Sequence, residues 1–405
     1  MTSHDVTTVP DVDEHRSAVS RGWTARYALA STGLWLALLT PAQVQLARQA
    51  EIFAPDSKEA LLGLATGLGS AVTAVAVPVF GAASDRTRTR FGKRRPWVGG
   101  GVLLGAAGFL WLASATSATT MLLGWVVAQL GLAAVQAGLV ATIPDSVPRP
   151  QLGMVAGWAG MTQMLGALLG TVLVNQLVVD LAAGYLACAA VAVAAAVPFL
   201  LRYRDGDLAP ARQPKSAVRW TPDLAWAWAS RFLVMLGFAL ITQYLLYYLT
   251  DELDVADPQR SLLMVTAVTV LCAMVAALTA GRWSDRVGRR RVFVAAGGGL
   301  LGAGALAMAL APTWPVAIAA AAAVGVGFGT FLAVDLAVVA SVLPSASNTG
   351  RDLGVFAIAV AAPQILAPAL AVPVLALAGY TGLYLMTGLV AGAGGALVLR
   401  VRSVR

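Results

Sequence analysis

About twelve runs of roughly 20 mostly apolar residues follow one another along this chain, and they fix what it can become. They lie near 26–47, 58–83, 97–116, 119–143, 151–177, 181–201, 224–249, 259–282, 292–311, 314–343, 352–377 and 380–400. Lipid offers no partners for free backbone amides and carbonyls, so runs of this length are expected to be helices that cross a bilayer. A membrane β-barrel would show period-two alternation, and none is visible. The composition agrees. Of 405 residues, 58% are apolar and 12% charged, and mean hydropathy is +0.76. So few charges cannot cover the surface of a soluble protein of this size. Disorder, a disulfide framework and a collagen-like chain are excluded by the same figures. The fold class expected is therefore an all-α integral membrane protein.

Residues 1–22 hold Asp5, Asp11, Asp13, Glu14, Arg16 and Arg21 without an apolar core, and read as a polar tail and not as a cleaved signal peptide. Cys188 and Cys272 fall inside apolar runs and read as free thiols. The two histidines, His4 and His15, are both in the tail, so no metal-ligand cluster forms and no cofactor is expected. Gly325, Gly327 and Gly329 have the spelling of a nucleotide loop, but their apolar setting points to close helix packing. The same reading applies to glycines four apart, such as Gly101 with Gly105 and Gly166 with Gly170.

The net charge of +8 comes from 28 basic and 20 acidic residues. When alternate loops are assigned to opposite sides, 24 of the 28 basic residues share the side of the tail. Arg48, Lys58 and Arg260 stand on the other side, and Arg231 lies inside a run. Glu51, Asp56, Glu59, Asp180, Asp251, Glu252, Asp254 and Asp257 accompany those three. The positive-inside rule then places both termini in the cytoplasm of a multi-pass protein of the cell membrane. Arginines placed this way record topology and do not signal a nucleic-acid partner.

The two halves of the chain resemble each other. Gly81, Ser84, Asp85 and Arg86 recur as Gly281, Ser284, Asp285 and Arg286, and Gln43 recurs as Gln243, each 200 positions on. GMVAGWAGMTQML from Gly153 matches GVFAIAVAAPQIL from Gly354, which aligns Gln163 with Gln364. The charged stretch with Pro210, Pro214 and Pro222 separates the copies. The expected organisation is a tail over 1–22, a six-helix bundle over 23–203, a cytoplasmic linker over 204–222, a second bundle over 223–400 and a short tail over 401–405.

GRWSDRVGRRR from Gly281 resembles the signature loop of the major facilitator superfamily. The first copy, GAASDRTRTRFGKRRPW, has four additional residues before Gly92, where the second reaches Gly288 directly. That longer form is similar to the sucrose–proton symporters and the glycoside–pentoside–hexuronide cation symporters. TPAQVQLARQ, LAVDLAVV and RDLGVF look like actinobacterial-type members of that branch. The resemblance implies two pseudo-symmetric six-helix bundles, each of inverted three-helix repeats, that rock around a central cavity. It also implies a gating role for the loops, carried by Gly81, Asp85, Arg86, Gly92, Gly281, Asp285, Arg286, Gly288 and Arg289. Asp85 and Asp285 would face helix N-termini of the opposite half, where negative charge is favoured. Arg86 and the arginines after it would bridge to Asp145.

In such a fold the cavity is lined mainly by spans one, four, seven and ten, with help from five and eleven. Polar residues there are few, and each is costly in lipid. Gln43, Gln136, Gln163, Gln243, Tyr244 and Gln364 are the candidate substrate contacts. Amides donate and accept without charge, which suits a neutral polyhydroxy solute. Trp35, Trp125 and Trp158 are candidates for stacking on a sugar face. Asp335 is the one acid well inside a run, and Arg231 sits at nearly the same depth. An unpaired charge there is expensive, so the two are expected to pair and to carry proton coupling.

The function expected is secondary active transport of a sugar, glycoside or polyol by proton symport, with sodium as the other possible coupling ion. Export of drug-like or secondary-metabolite molecules is the alternative. Span five lacks the proline of the G-P-x-x-G-G pattern that marks drug antiporters, and PFLLRYRDG stands where hexose uniporters carry P-E-S-P-R. An enzyme is not expected, because no nucleophile–base pairing exists among the intramembrane polar residues. The partners expected are a small-molecule substrate and the bilayer, with no nucleic acid, and the chain is expected to act as a monomer.

Overall fold

A computed structural model describes residues 18–203, 220–342 and 349–403. Among these residues there is no β-strand, and thirteen α-helices account for most of the chain. In order they are α1 (Arg21–Thr40), α2 (Leu46–Phe53), α3 (Lys58–Arg86), α4 (Arg95–Ala113), α5 (Ala118–Ser146), α6 (Arg149–Val172) and α7 (Leu181–Arg202). Then follow α8 (Pro222–Gln243), α9 (Leu245–Tyr247), α10 (Pro258–Val287), α11 (Arg290–Leu310), α12 (Trp314–Val342) and α13 (Thr349–Leu397).

These helices group into twelve legs among the described residues. α1 and α2 are one leg, joined by a π turn over Pro41–Gln45. α8 and α9 are another, continued by a π turn over Tyr248–Glu252. α13 holds two legs, because Gly379 at φ 60° and ψ −162° breaks it. A residue with a Cβ is strained at such a φ, so glycine allows the chain to reverse there. Among the described residues nine stretches are long and apolar enough to cross a membrane by length and composition alone, and the last, Ile358–Arg400, runs through that break. The legs match the apolar runs to within a few residues at each end.

Local chemistry sets several helix starts. Ser20 accepts from the Trp23 amide at 3.2 Å, Asp180 from Ala183 at 2.8 Å and Asp257 from Arg260 at 2.9 Å. Ser117 and Thr120 form a reciprocal capping box ahead of α5. Each satisfies an amide that the first turn leaves without an intrahelical partner.

Close packing of small residues holds the legs together. A Cβ on Gly131 would collide with the Gly105 backbone, and Gly166 and Gly170 bring α6 against α1 at Leu36 and Thr40. Gly325, Gly327 and Gly329 each meet a backbone carbonyl of a neighbouring leg, at Thr269, Gly297 and Ala273. Their role is packing, as the apolar setting requires. The first seven helices pack among themselves, as do α8 to α13. The halves meet chiefly where α3 lies on α13 and α6 lies on α10. Residues 204–219 of the expected linker and 1–17 of the expected tail lie outside the described residues.

Candidate functional site

Backbone irregularities mark two repeat-related legs. Gln43 lies in the π turn of the first leg. Two hundred positions on, α8 stops at Gln243, and Tyr244 leaves helical values at φ −108° and ψ 9°. The repeat-related legs are thus both irregular at the same place. Such breaks leave backbone groups free of the usual i to i−4 ladder and are common at functional sites.

Gln243 Nε2 donates to Gln364 Oε1 at 3.3 Å, which joins α8 to the first leg of α13. Among the described residues, Gln243 Oε1, the Tyr244 hydroxyl and Gln136 Oε1 are buried without a hydrogen-bond partner. A buried polar atom without a partner costs free energy unless a water or a ligand satisfies it. Tyr244 also reaches the other half, since a Cβ on Gly63 of α3 would lie 2.9 Å from its hydroxyl oxygen and 2.8 Å from Val372 Cγ2. Gln43 and Gln163 are half-buried, and no hydrogen bond joins either to the Gln243–Gln364 pair among the described residues. The Gln243–Gln364 hydrogen bond joins two glutamines of the same half. Trp125 does not offer a stacking face. It is 1% exposed, and its indole nitrogen packs against Gly69 of α3.

Arg231 and Asp335 form an ion pair between α8 and α12, with Arg231 Nη1 donating to Asp335 Oδ2. The sequence leads one to expect this pairing. Asp335 is 5% exposed, and Arg231 Nε has no partner among the described residues. The arginine charge therefore stays compensated only while the carboxylate is ionised.

At the first signature loop Arg94 is the hub. Its Nε donates to Asp145 Oδ2 at 2.8 Å and its Nη2 to Asp85 Oδ1 at 2.6 Å. Nη1 donates to Ser84 Oγ. Lys93 adds an ion pair to Asp145 at 3.1 Å. Burial works against the Arg94 charge, but Asp145 and Asp85 outweigh it and hold its pKa above the ordinary value. The bridge to Asp145 was expected first of Arg86. That residue is exposed, and the contact belongs to Arg94, which the four additional residues and the left-handed Gly92 (φ 91°) fold back under the helix ends. Asp85 is 63% exposed in its side chain. Among the described residues, Gly81 meets nothing within 4 Å of a Cβ position, and Gly281 meets Ala333 alone. In the second loop Gly288 caps α10 at φ 65°, and Arg286 and Arg289 are exposed. The side chains of Asp285 and of the residues opening α13 lie outside the described residues, as does Asn348.

A cluster that the sequence reading did not single out links the halves on the face opposite the termini. Lys58 Nζ lies 2.8 Å from Asp251 and 3.5 Å from Glu51, and 4.9 Å from the Tyr247 ring centroid. Tyr380 donates to Asp251 Oδ2 at 2.9 Å, and Tyr247 donates to the Ala47 carbonyl at 2.8 Å. Glu51, Ala47 and Lys58 belong to the first half, and Tyr247, Asp251 and Tyr380 to the second. The available signal was a single lysine amid acids on the face that carries few positive charges. Among the described residues no group of three or more His, Cys, Asp or Glu side chains is placed to hold a metal ion.

A family model described as Major Facilitator Superfamily matches residues 27–248 and 227–405. Three solved structures share the fold. One is a bacterial homolog of the human lysosomal transporter Spinster, inward-facing and unoccupied, at 14% identity and TM-score 0.70, covering 95% of this chain and 96% of that one. A POT family transporter in complex with a thioalcohol-conjugated peptide has 13% identity and TM-score 0.72, with 93% and 94% covered. The nucleoside transporter NupG, as its D323A mutant, has 13% identity and TM-score 0.73, with 94% and 99% covered. No curated protein matches the chain in sequence.

Proposed function

Because the chain belongs to the major facilitator superfamily, we propose that it moves a small neutral polar solute, a sugar, glycoside or polyol, across the cell membrane by alternating access in symport with protons. The observation that carries this reading is the break in the seventh leg. There the buried Gln243 Oε1 and Tyr244 hydroxyl lack partners beside Gln364. These are uncharged donors and acceptors, matched to hydroxyl groups and poorly matched to an ion. Gln43, Gln136 and Gln163 are the further contacts we assign to the same solute.

Asp335 is the proton site in this reading. A proton on its carboxylate weakens the pair with Arg231, which must then find another partner or move. Both termini lie in the cytoplasm, following the distribution of positive charge. The face closed by Lys58 and Asp251 is then the outer one, and the chain acts as a monomer.

The test is flux into proteoliposomes that hold the purified protein under an imposed pH gradient, screened against sugars, glycosides, polyols and drug-like cations. Saturable, gradient-driven sugar or polyol uptake is expected. Gln243→Ala is expected to raise KM about tenfold, the effect of one lost hydrogen bond of roughly 1.4 kcal/mol. Asp335→Asn is expected to abolish accumulation while leaving solute exchange. Uptake driven equally well by sodium alone, or gradient-driven efflux of drug-like cations without sugar flux, would replace this reading. Accumulation by Asp335→Asn with unchanged pH dependence removes that residue from coupling.

A further inference from the structure

We propose that a groove on the terminus-bearing face of the second half binds the headgroup of one anionic phospholipid. The groove has a volume of about 750 Å³ and is lined by Val287, Gly288, Arg289, Arg291, Val292 and Leu399. It lies where α10 ends, α11 begins and the last leg of α13 runs out, at the ends of three stretches apolar enough to cross a membrane.

Its chemistry is two-sided. Arg289 and Arg291 supply guanidinium donors, and among the described residues no acid lines the groove. Arg291 Nη1 donates to the Val401 carbonyl at 2.6 Å, which anchors the group with one of its five N–H bonds. The α11 helix starts at this wall without a side-chain cap, so its first amides add partial positive charge. Nothing lies within 4 Å of a Cβ position on Gly288, so the backbone of the turn is open to the groove. The remaining walls are apolar and exposed: Val287 48%, Val292 53% and Leu399 51%. A soluble anion satisfies only the arginines. A phospholipid satisfies both, with its phosphate on the guanidiniums and its acyl chains along the apolar wall.

The repeat sharpens the assignment. Lys93 follows Gly92 as Arg289 follows Gly288. In the first half that position is neutralised internally, because Lys93 pairs with Asp145 at 3.1 Å. In the second half Arg289 is exposed along an open groove instead.

The test uses the full-length protein in vesicles of phosphatidylcholine with and without phosphatidylglycerol. Native mass spectrometry counts the phosphatidylglycerol retained after mild delipidation, and thermal unfolding measures its stabilising effect. Wild type is expected to retain one more phosphatidylglycerol than Arg289→Gln. The shift in midpoint that phosphatidylglycerol gives is expected to be roughly halved in Arg289→Gln and in Leu399→Gln. Arg21→Gln, on the same face of the other half, should behave as wild type. Equal retention by wild type and Arg289→Gln overturns the site. If inorganic phosphate or glycerol phosphate stabilises wild type as much as the lipid does, the groove is an anion site only and the lipid assignment fails.

Discussion

Arg94 is 3% exposed and is held by Asp145, Asp85 and Ser84. Its partners differ in setting, and that difference orders the effects of substitution. Asp145 has 22% of its side chain exposed and takes both Lys93 and Arg94, whereas Asp85 has 63% exposed. Removing one member of a buried pair strands the other charge, so Arg94→Gln is expected to lower stability on the order of 3 kcal/mol. Asp85→Asn is expected to cost under about 1 kcal/mol, because water replaces the lost contact. Thermal unfolding of the purified variants in one detergent checks the order, and an Asp85→Asn loss as large as that of Arg94→Gln would refute it. The motif itself was legible in the sequence, but its hub was not. Six basic residues crowd positions 86 to 95, and only the fold decides which of them turns under the helix ends. Arg231 and Asp335 were legible because each is nearly alone in its span, and a charge isolated in lipid has few partners to choose from.

The legs themselves were readable from hydropathy, since lipid imposes helices of a set length. Their irregularities were only half readable. Pro41 opens the π turn of the first leg, while the break at Tyr244 falls in GFALITQYLLYYL, which contains no proline and only an early glycine. Tertiary contact with Gly63 and Gln364 supplies what the local sequence lacks. The glycines allow a sharper test at this scale. Gly131 sits against the Gly105 backbone, so Gly131→Ala must push α5 from α4. Overpacking of this kind costs about 1–3 kcal/mol. Gly100, inside α4, has nothing within 4 Å of a Cβ position, so Gly100→Ala is expected to be neutral or to stabilise by up to about 1 kcal/mol through helix propensity. Unfolding midpoints of the two variants should therefore move in opposite directions, or one should move down while the other stays. A fall of equal size in both would mean that the spacing reflects something other than close packing.

The duplication at an offset of 200 announced two halves before any coordinates. It did not announce which contacts hold them, because a repeat describes what the halves share and the links between them are unique to each. The links are α3 on α13, α6 on α10, and the cluster around Lys58. That cluster is a charged connection between the halves, and it lies on the face away from the termini. Lys58 is only 13% exposed in its side chain, and it gathers Asp251, Glu51 and the Tyr247 ring. In the alternating-access cycle we propose, this contact parts once per cycle. An ion pair at the rim is worth about 1 kcal/mol, enough to shift a two-state balance about fivefold. Lys58→Gln is therefore expected to favour the form open to that face, without unfolding the protein. The stronger test is to forbid the opening. Cysteines at positions 58 and 251, in a background with Cys188→Ala and Cys272→Ala, are to be bridged by a short bifunctional thiol reagent that reductant cleaves. Solute flux in proteoliposomes is expected to stop on bridging and to return on cleavage, while either single cysteine is unaffected by the reagent. Full flux through fully bridged protein would mean that the halves do not separate there, and that the solute passes without parting Lys58 from Asp251.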